Sequence, residues 1–364
     1  MLKAALVGAG GWGKTHVANW SRLDTDGLVE FACAADVNPD NLSEVRSADI
    51  SCFSSDVEMY ESVHPDVVSI AAGIPLHLEL VKRALEHGVN VLLEKPAAAT
   101  VDEVRQMIDL QRRYAGLFVL VAFQFIYTPE TRILKELLVS GKYGKIRSAA
   151  VRGFVKRNDA YYARNDWAGR IYNRQGYPVF DSPLSNAFAH YLNLALFLTA
   201  DSKFESAGLE RVENVRLLKA RPEIENYDVC SFRAVTCGNI PIDVQFSHAS
   251  AANEWPNLSL ILDDGIVRWY PNEWFLFAPD GKTVREHVVF KEDPQYEMFR
   301  TVASLTSGQE VTNCICTLEV ALEHTRCVEM VQKYPITALT GSQVVRHTEE
   351  GGYYDVPFPD ELLK

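Results

Sequence analysis

Three groups of residues have the types and spacing to do chemistry. The first is Gly8-Ala9-Gly10-Gly11-Trp12-Gly13, which follows an apolar run directly and opens a helix-like one. In that setting Gly8, Gly10, Gly11 and Gly13 let backbone approach a pyrophosphate closely, and the helix N-terminus offers it free N–H groups. Extended through Lys14-Thr15, the same stretch also fits a phosphate loop, so two nucleotide readings stand side by side. Asp36 lies 23 residues beyond Gly13, at the end of the apolar run FACAA. A carboxylate there accepts hydrogen bonds from an adenosine ribose and repels a 2′-phosphate, which favours NAD over NADP; in a nucleotide hydrolase it would hold magnesium instead.

The second group is Glu94-Lys95-Pro96, which ends another apolar run. A cation at a strand's C-terminal end sits where open α/β sheets bind ligands, and Pro96 biases Lys95 toward extended backbone. A surface Lys95 paired with Glu94 is the alternative. The third group is Asn186, His190 and Asn193, spaced i, i+4, i+7 along an otherwise apolar stretch. With Ser182 as N-cap and Pro183 in the first turn, that stretch predicts a helix over 183–198 whose polar stripe lines a pocket. Just upstream, Tyr161, Arg164 and Trp167 fall within the run YYARNDW. Aromatic faces with bidentate polar groups suit a sugar or cyclic polyol, and equally a subunit interface.

Elements must position these groups. Lys3–Val7, Phe31–Ala35, Val67–Ala71 and Val89–Leu93 read as strands, and Gly13–Leu23, Leu76–His87 and Val101–Tyr114 as helices. That alternation predicts a doubly wound parallel sheet over residues 1–122. Beyond it, runs at 228–235, 242–248, 258–262, 266–270 and 274–278, with Asp264-Gly265 and Asp280-Gly281 as turns, predict a mainly antiparallel sheet. Helices at 183–198, 295–305 and 318–333 flank that sheet, so residues 123–364 form a second, α+β domain.

Composition narrows the partners. The chain has 364 residues, of which 47% are hydrophobic and 23% charged, and a net charge of −12, which repels a nucleic-acid backbone. No apolar run approaches the roughly 20 residues of a membrane span, and the first residues lack a secretory h-region, so a cytoplasmic location is expected. Seven scattered cysteines suit reduced thiols; Cys314 and Cys316 lack a second ligand pair at zinc spacing, so no metal site is expected.

Val91-Leu92-Leu93-Glu94-Lys95-Pro96, with the glycine loop and Pro75-x-His77, resembles the Gfo/Idh/MocA family of NAD(P)-dependent oxidoreductases, and the resemblance extends over essentially the whole chain. Gly141-Lys142-Tyr143-Gly144-Lys145-Ile146 looks like the start of that family's second domain. The resemblance decides for the dinucleotide reading. It implies an N-terminal Rossmann domain in which Trp12, Asp36, Pro75, His77 and Glu94 join the glycines on the cofactor side, with Lys95 approaching a substrate hydroxyl beside the nicotinamide. The family's Asp-x-x-x-His reads Asn186-Ala187-Phe188-Ala189-His190 here. An amide positions a hydroxyl but takes no proton, so proton transfer falls to Lys95 and His190, with Asp181 nearby in sequence as a source of charge. The expected function is NAD-dependent hydride transfer at a hydroxyl-bearing carbon of a sugar or cyclitol-like polyol, in a homo-oligomer, dimer or tetramer. A non-catalytic dinucleotide-binding sensor on the same fold is the alternative.

Overall fold

The short apolar runs of the first third pair into one parallel sheet. Its strands are β1 (Lys3–Val7), β2 (Glu30–Ala35), β3 (Ser51–Phe53), β4 (Val67–Ile70), β5 (Asn90–Leu93) and β6 (Val119–Val121), in the order β3-β2-β1-β4-β5-β6. Every neighbouring pair is parallel. Chain direction across the sheet reverses between β1 and β4, and that switch point is where doubly wound sheets leave a crevice at their strand ends. The helices Gly13–Thr25, His77–Glu86 and Val101–Arg113 fall where the 3.6-residue periodicity places them. Thr100 caps the last of these through a capping box with Glu103. Strands β3 and β6 are three residues each, too short for periodicity to reveal.

In this computed structural model, which describes residues 1–356, the chain divides into two units: residues 1–132 with 291–322, and residues 133–290 with those from 323 onward. The division differs from the expected single crossing after residue 122, because the Pro294–Thr306 helix returns to the first unit. Phe299, fully buried, meets the Trp20 ring edge-on at 4.8 Å and the His16 ring at 5.1 Å. The hydroxyl of Tyr296 donates to Asp26 at 2.5 Å, and Arg22 pairs with Glu292 at 3.0 Å. Farther on, Val121 donates its N–H to the Cys316 carbonyl, so residues 316–317 line the β6 edge.

The second unit is built on β7 (Ile146–Phe154), β8 (Leu209–Lys219), β9 (Val229–Thr236), β10 (Pro241–Ser247), β11 (Glu254–Leu262), β12 (Gly265–Tyr270), β13 (Glu273–Phe277), β14 (Val284–Val289) and β15 (Ile336–Ala338). Their order is β14-β13-β12-β11-β7-β10-β9-β8-β15, antiparallel except for β7 with β10 and β8 with β15. Leu258, Leu260, Val267, Trp269, Trp274 and Leu276 alternate onto the buried face. The helix Ala189–Leu198 covers that face, with Phe188 stacked on Phe246 at 4.6 Å.

That helix is six residues shorter than its polar spacing predicts. Residues 183–188 form turns in which the Ser182 hydroxyl accepts from the Ser185 N–H and the Phe188 N–H donates to the Pro183 carbonyl. Serine side chains bonding nearby backbone compete with helix, and Phe188 rather than Ser182 stands at the N-cap.

The packing of Phe299 gives a test of the returning segment. Phe299→Ala removes a fully buried ring between Trp20 and His16 and is expected to lower unfolding free energy by about 3–5 kcal/mol. Urea denaturation followed by tryptophan fluorescence reads the loss; a wild-type midpoint would detach this helix from the first unit's core.

Candidate functional site

The glycine loop leaves β1 at Gly8, whose φ is +88° and where a Cβ would stand 2.8 Å from the Ala71 carbonyl oxygen. At Gly13 a Cβ would lie 2.0 Å from the Gly8 carbonyl oxygen. Strand end and helix start therefore approach more closely than any side chain permits. Asp36, one residue beyond β2, folds back onto this loop. Its Oδ2 accepts from the N–H groups of Ala9 (2.8 Å) and Gly10 (3.3 Å) and from Asn41 Nδ2 (3.1 Å), and its Oδ1 accepts from the Asn38 N–H (2.8 Å). A carboxylate offers about four acceptor positions, so Oδ1 of this half-buried group retains capacity for a hydroxyl.

The N–H groups of Gly11 and Trp12 have no acceptor among the described residues, and no side chain caps the Gly13–Thr25 helix. A pyrophosphate fits such a loop: unspent backbone donors at a helix N-terminus, with a carboxylate at the end of the neighbouring strand. Trp12 is 54% exposed beside them. Lys14 turns away to pair with Glu44 at 3.1 Å, both largely exposed, and so does not play the lysine of a phosphate loop.

At the end of β5, Glu94 is buried, and its two oxygens are taken by His16 Nε2 (2.9 Å) and by the Lys95 N–H (3.0 Å). Burial by itself would raise the Glu94 pKa, but the His16 hydrogen bond and charge, with Lys95, bring it below the ordinary carboxylate range. Glu94 thus ties the Lys95 backbone to the helix that follows the glycine loop. His16 was not singled out by sequence; its signal was a titratable side chain one turn into that helix, on the face turned to the sheet. Lys95 itself is half-buried and precedes a cis peptide to Pro96.

His77 is also a brace. It is fully buried, with Nδ1 3.1 Å from the Ala97 carbonyl and Nε2 3.1 Å from the Ala72 carbonyl. Burial lowers its pKa against the pull of those carbonyls. It joins the backbone after β4 to the backbone after Lys95, while Pro75 sits in the turn Ile74–Leu76 just before it.

In the second unit, Tyr161 and Arg164 gather around Asn186. Asn186 Nδ2 donates to the Tyr161 hydroxyl at 3.3 Å and to Asp181 Oδ1 at 2.9 Å. Asp181, buried, also accepts from the Gly169 N–H at 2.7 Å and lies 3.7 Å from Arg164. A buried carboxylate at position 181 thus orients the amide at position 186. The Arg164 guanidinium lies 3.8 Å from the Tyr161 ring centroid and 5.1 Å from that of Trp167. Burial pushes the Tyr161 phenol up to about 12, so it stays protonated as a donor. His190, half-buried, stands in the first turn of the Ala189–Leu198 helix. Asn193, three residues on in the same helix, is fully buried, and because residue 186 precedes the helix the i, i+4, i+7 stripe has no single helical axis.

Sequence reading missed Arg157, Tyr162 and His248. Arg157 follows β7 and His248 follows β10, and these parallel neighbours deliver them side by side, with the Arg157 N–H on the His248 carbonyl at 3.2 Å. The Tyr162 hydroxyl bonds His248 Nδ1 at 3.3 Å. No spacing along the chain announces this meeting.

Residues 2–123 match the sequence model of the Gfo/Idh/MocA oxidoreductase family's NAD-binding Rossmann fold. Among curated relatives, D-glucoside 3-dehydrogenase of Escherichia coli (strain K12) is 28% identical over 151 residues, 42% of this chain and 43% of that protein. Inositol 2-dehydrogenase of Serratia proteamaculans (strain 568) is 25% identical over 147 residues, 40% of this chain and 43% of that protein. The matched stretch thus spans under half the length of these relatives. A solved structure of levoglucosan dehydrogenase in complex with NADH shares the fold with a TM-score of 0.75 at 17% identity, covering 91% of this chain and 96% of that one.

The Glu94 geometry carries a pH dependence. A carboxyl whose folded pKa is depressed contributes stability that is present above its unfolded pKa, about 4.3, and lost as pH falls through the folded value. Glu94→Gln is expected to lose about 1.5–3 kcal/mol at neutral pH, the worth of a charged hydrogen bond, and to converge on wild type only as pH falls through the depressed folded value. Denaturant melts of both proteins across that range check it; a pH-independent difference would mean that the ion pair is not its source.

Proposed function

We propose that this chain, whose residues 2–123 match the NAD-binding Rossmann domain of the Gfo/Idh/MocA oxidoreductase family, is an NAD-dependent dehydrogenase acting on a CH–OH carbon of a sugar or cyclitol-like polyol. The observation that carries the reading is Asp36, held by the glycine-loop amides at the end of β2 with acceptor capacity left on Oδ1. Bound NAD would supply the hydride-accepting nicotinamide carbon. The chain's own groups would do the rest. Gly8, Gly10, Gly11, Trp12 and Gly13 form the dinucleotide loop, and Glu94, Pro75 and His77 set the backbone around Lys95. Lys95 and His190 are the groups proposed for proton transfer. Asn186, oriented by Asp181, positions a hydroxyl, with Tyr161, Arg164 and Trp167 as the sugar-facing group.

The relatives named for inositol, a D-glucoside and levoglucosan support the same substrate class. The reading extends to a cytoplasmic homo-oligomer, dimer or tetramer, supported by the exposed Ile261, Val284 and Val289 of the second sheet. No helix among the described residues is long and apolar enough to cross a membrane. A dinucleotide-binding sensor without turnover is the second reading, favoured by the amide at Asn186 and weakened by the adjacent Asp181 carboxylate. A spectrophotometric panel of sugars and polyols with NAD separates them: cofactor binding without turnover in either direction favours the sensor.

Two substitutions test the roles. Wild type is expected to bind NADH more tightly than NADPH, and Asp36→Ala to narrow that gap by about 1–3 kcal/mol, measured by nicotinamide fluorescence titration. Equal wild-type affinities would remove Asp36 from the ribose. Lys95→Met is expected to lower kcat by about 10²–10⁴ with NADH affinity unchanged within a few fold; near-normal turnover would take Lys95 out of the proton path.

A further inference from the structure

The second unit holds more positive charge around Tyr161 than its own carboxylates neutralise. Two guanidinium carbons lie over that one ring, Arg164 at 3.8 Å and Arg157 at 4.4 Å from its centroid. The carboxylate beside Arg164 is Asp181, already accepting from Gly169 and Asn186. Arg157 makes no side-chain hydrogen bond or ion pair among the described residues, and its Nε is buried without an acceptor. Asp159, the acid nearest it in sequence, is taken up by Arg221 and Arg346. Beside this pair His248, also buried, has an Nε2 without a hydrogen-bond partner, and burial together with the charges of Arg157 and Arg164 holds its pKa far below the ordinary histidine value. In a chain of net charge −12 this surplus is local.

A buried guanidinium nitrogen without an acceptor costs about 1–3 kcal/mol, and folded proteins rarely leave one. The planar fork of arginine matches a carboxylate bidentately. We infer that the substrate is an anionic sugar, a uronic acid, whose carboxylate is bound by Arg157 and Arg164 while Asn186 and Tyr161 take a hydroxyl. Two guanidiniums against Asp181 leave one net positive charge, which matches a carboxylate better than the nearly double charge of a phosphate. His248 stays neutral and, with the Tyr162 hydroxyl on its other nitrogen, backs the Tyr161 ring at 5.5 Å. The inference rests on the dehydrogenase reading for its hydroxyl and on Arg157 for its charge.

The test compares matched trios, the neutral hexose, its uronate and its 6-phosphate in the gluco, galacto and manno series. Binding to the NADH-loaded protein is measured by calorimetry, and turnover by NAD reduction. At least one uronate is expected to bind about tenfold or more tighter than both its partners, consistent with one charge-assisted hydrogen bond, and to weaken as NaCl is raised. Arg157→Gln should abolish the preference with NADH affinity retained, and Arg157→Lys, which keeps charge but loses the fork, should keep part of it. Should Arg157→Gln not fold, the lysine variant and the salt dependence carry the decision. Preference for the neutral sugar or the phosphate, a preference that survives Arg157→Gln, or no binding in any series overturns the inference. Arg157-dependent uronate binding without NAD reduction would support it and sink the dehydrogenase reading; turnover of neutral sugars without a uronate preference would do the reverse.

Discussion

A carboxylate withdrawn from water must be met by donors, and both units of this chain are organised around satisfying that demand. Asp36 is met by loop amides, Glu94 by His16 and the Lys95 backbone, and Asp181 by Gly169, Asn186 and Arg164. In each case the donors come from a segment distant in sequence or from a turn that must close for the bond to form. The acids therefore act as clamps on backbone, and the groups assigned chemistry stand next to them.

Glu94 shows how packing and chemistry are coupled. Its Oε1 is reached only if the Gly13–Thr25 helix lies against β5's end, and that helix is itself pressed onto the sheet by Trp20 and Phe299. The Trp20 indole N–H donates to the Ser69 hydroxyl on β4, so the layer contains a polar bond as well as aromatic contacts. A helix from beyond residue 290 thus helps set where Lys95 leaves its strand, which makes the segment 291–322 part of the dinucleotide unit and not an appendage of the second sheet.

The second unit solves the same problem with different parts. Asp228, fully buried, accepts from the Ala220 and Arg221 N–H groups, yet burial still pushes its pKa up to about 6. Asp181 meets a side-chain cation as well as amides, and it orients the Asn186 amide.

Local and periodic features were legible in the sequence: the parallel strands with their three main helices, the glycine loop, the acid at Asp36 and the Glu94-Lys95-Pro96 strand end. Each depends on steric rules or hydrogen bonds acting over a few residues, so residue order alone carries it. The roles of His16 and His77 as braces, the early break at residues 183–188, the burial of Asn193 and the pairing of Arg157 with His248 were not legible. They depend on which strands become neighbours and which helix returns to which sheet. That choice is made by the burial of whole faces, such as Phe299 on Trp20 and Phe188 on Phe246, and no interval along the chain encodes it. Sequence determined which groups were available to bind a dinucleotide; only the tertiary structure decided that Asp181 pairs with Asn186 and that two arginines share Tyr161, because both depend on how these turns fold and not on any repeating interval.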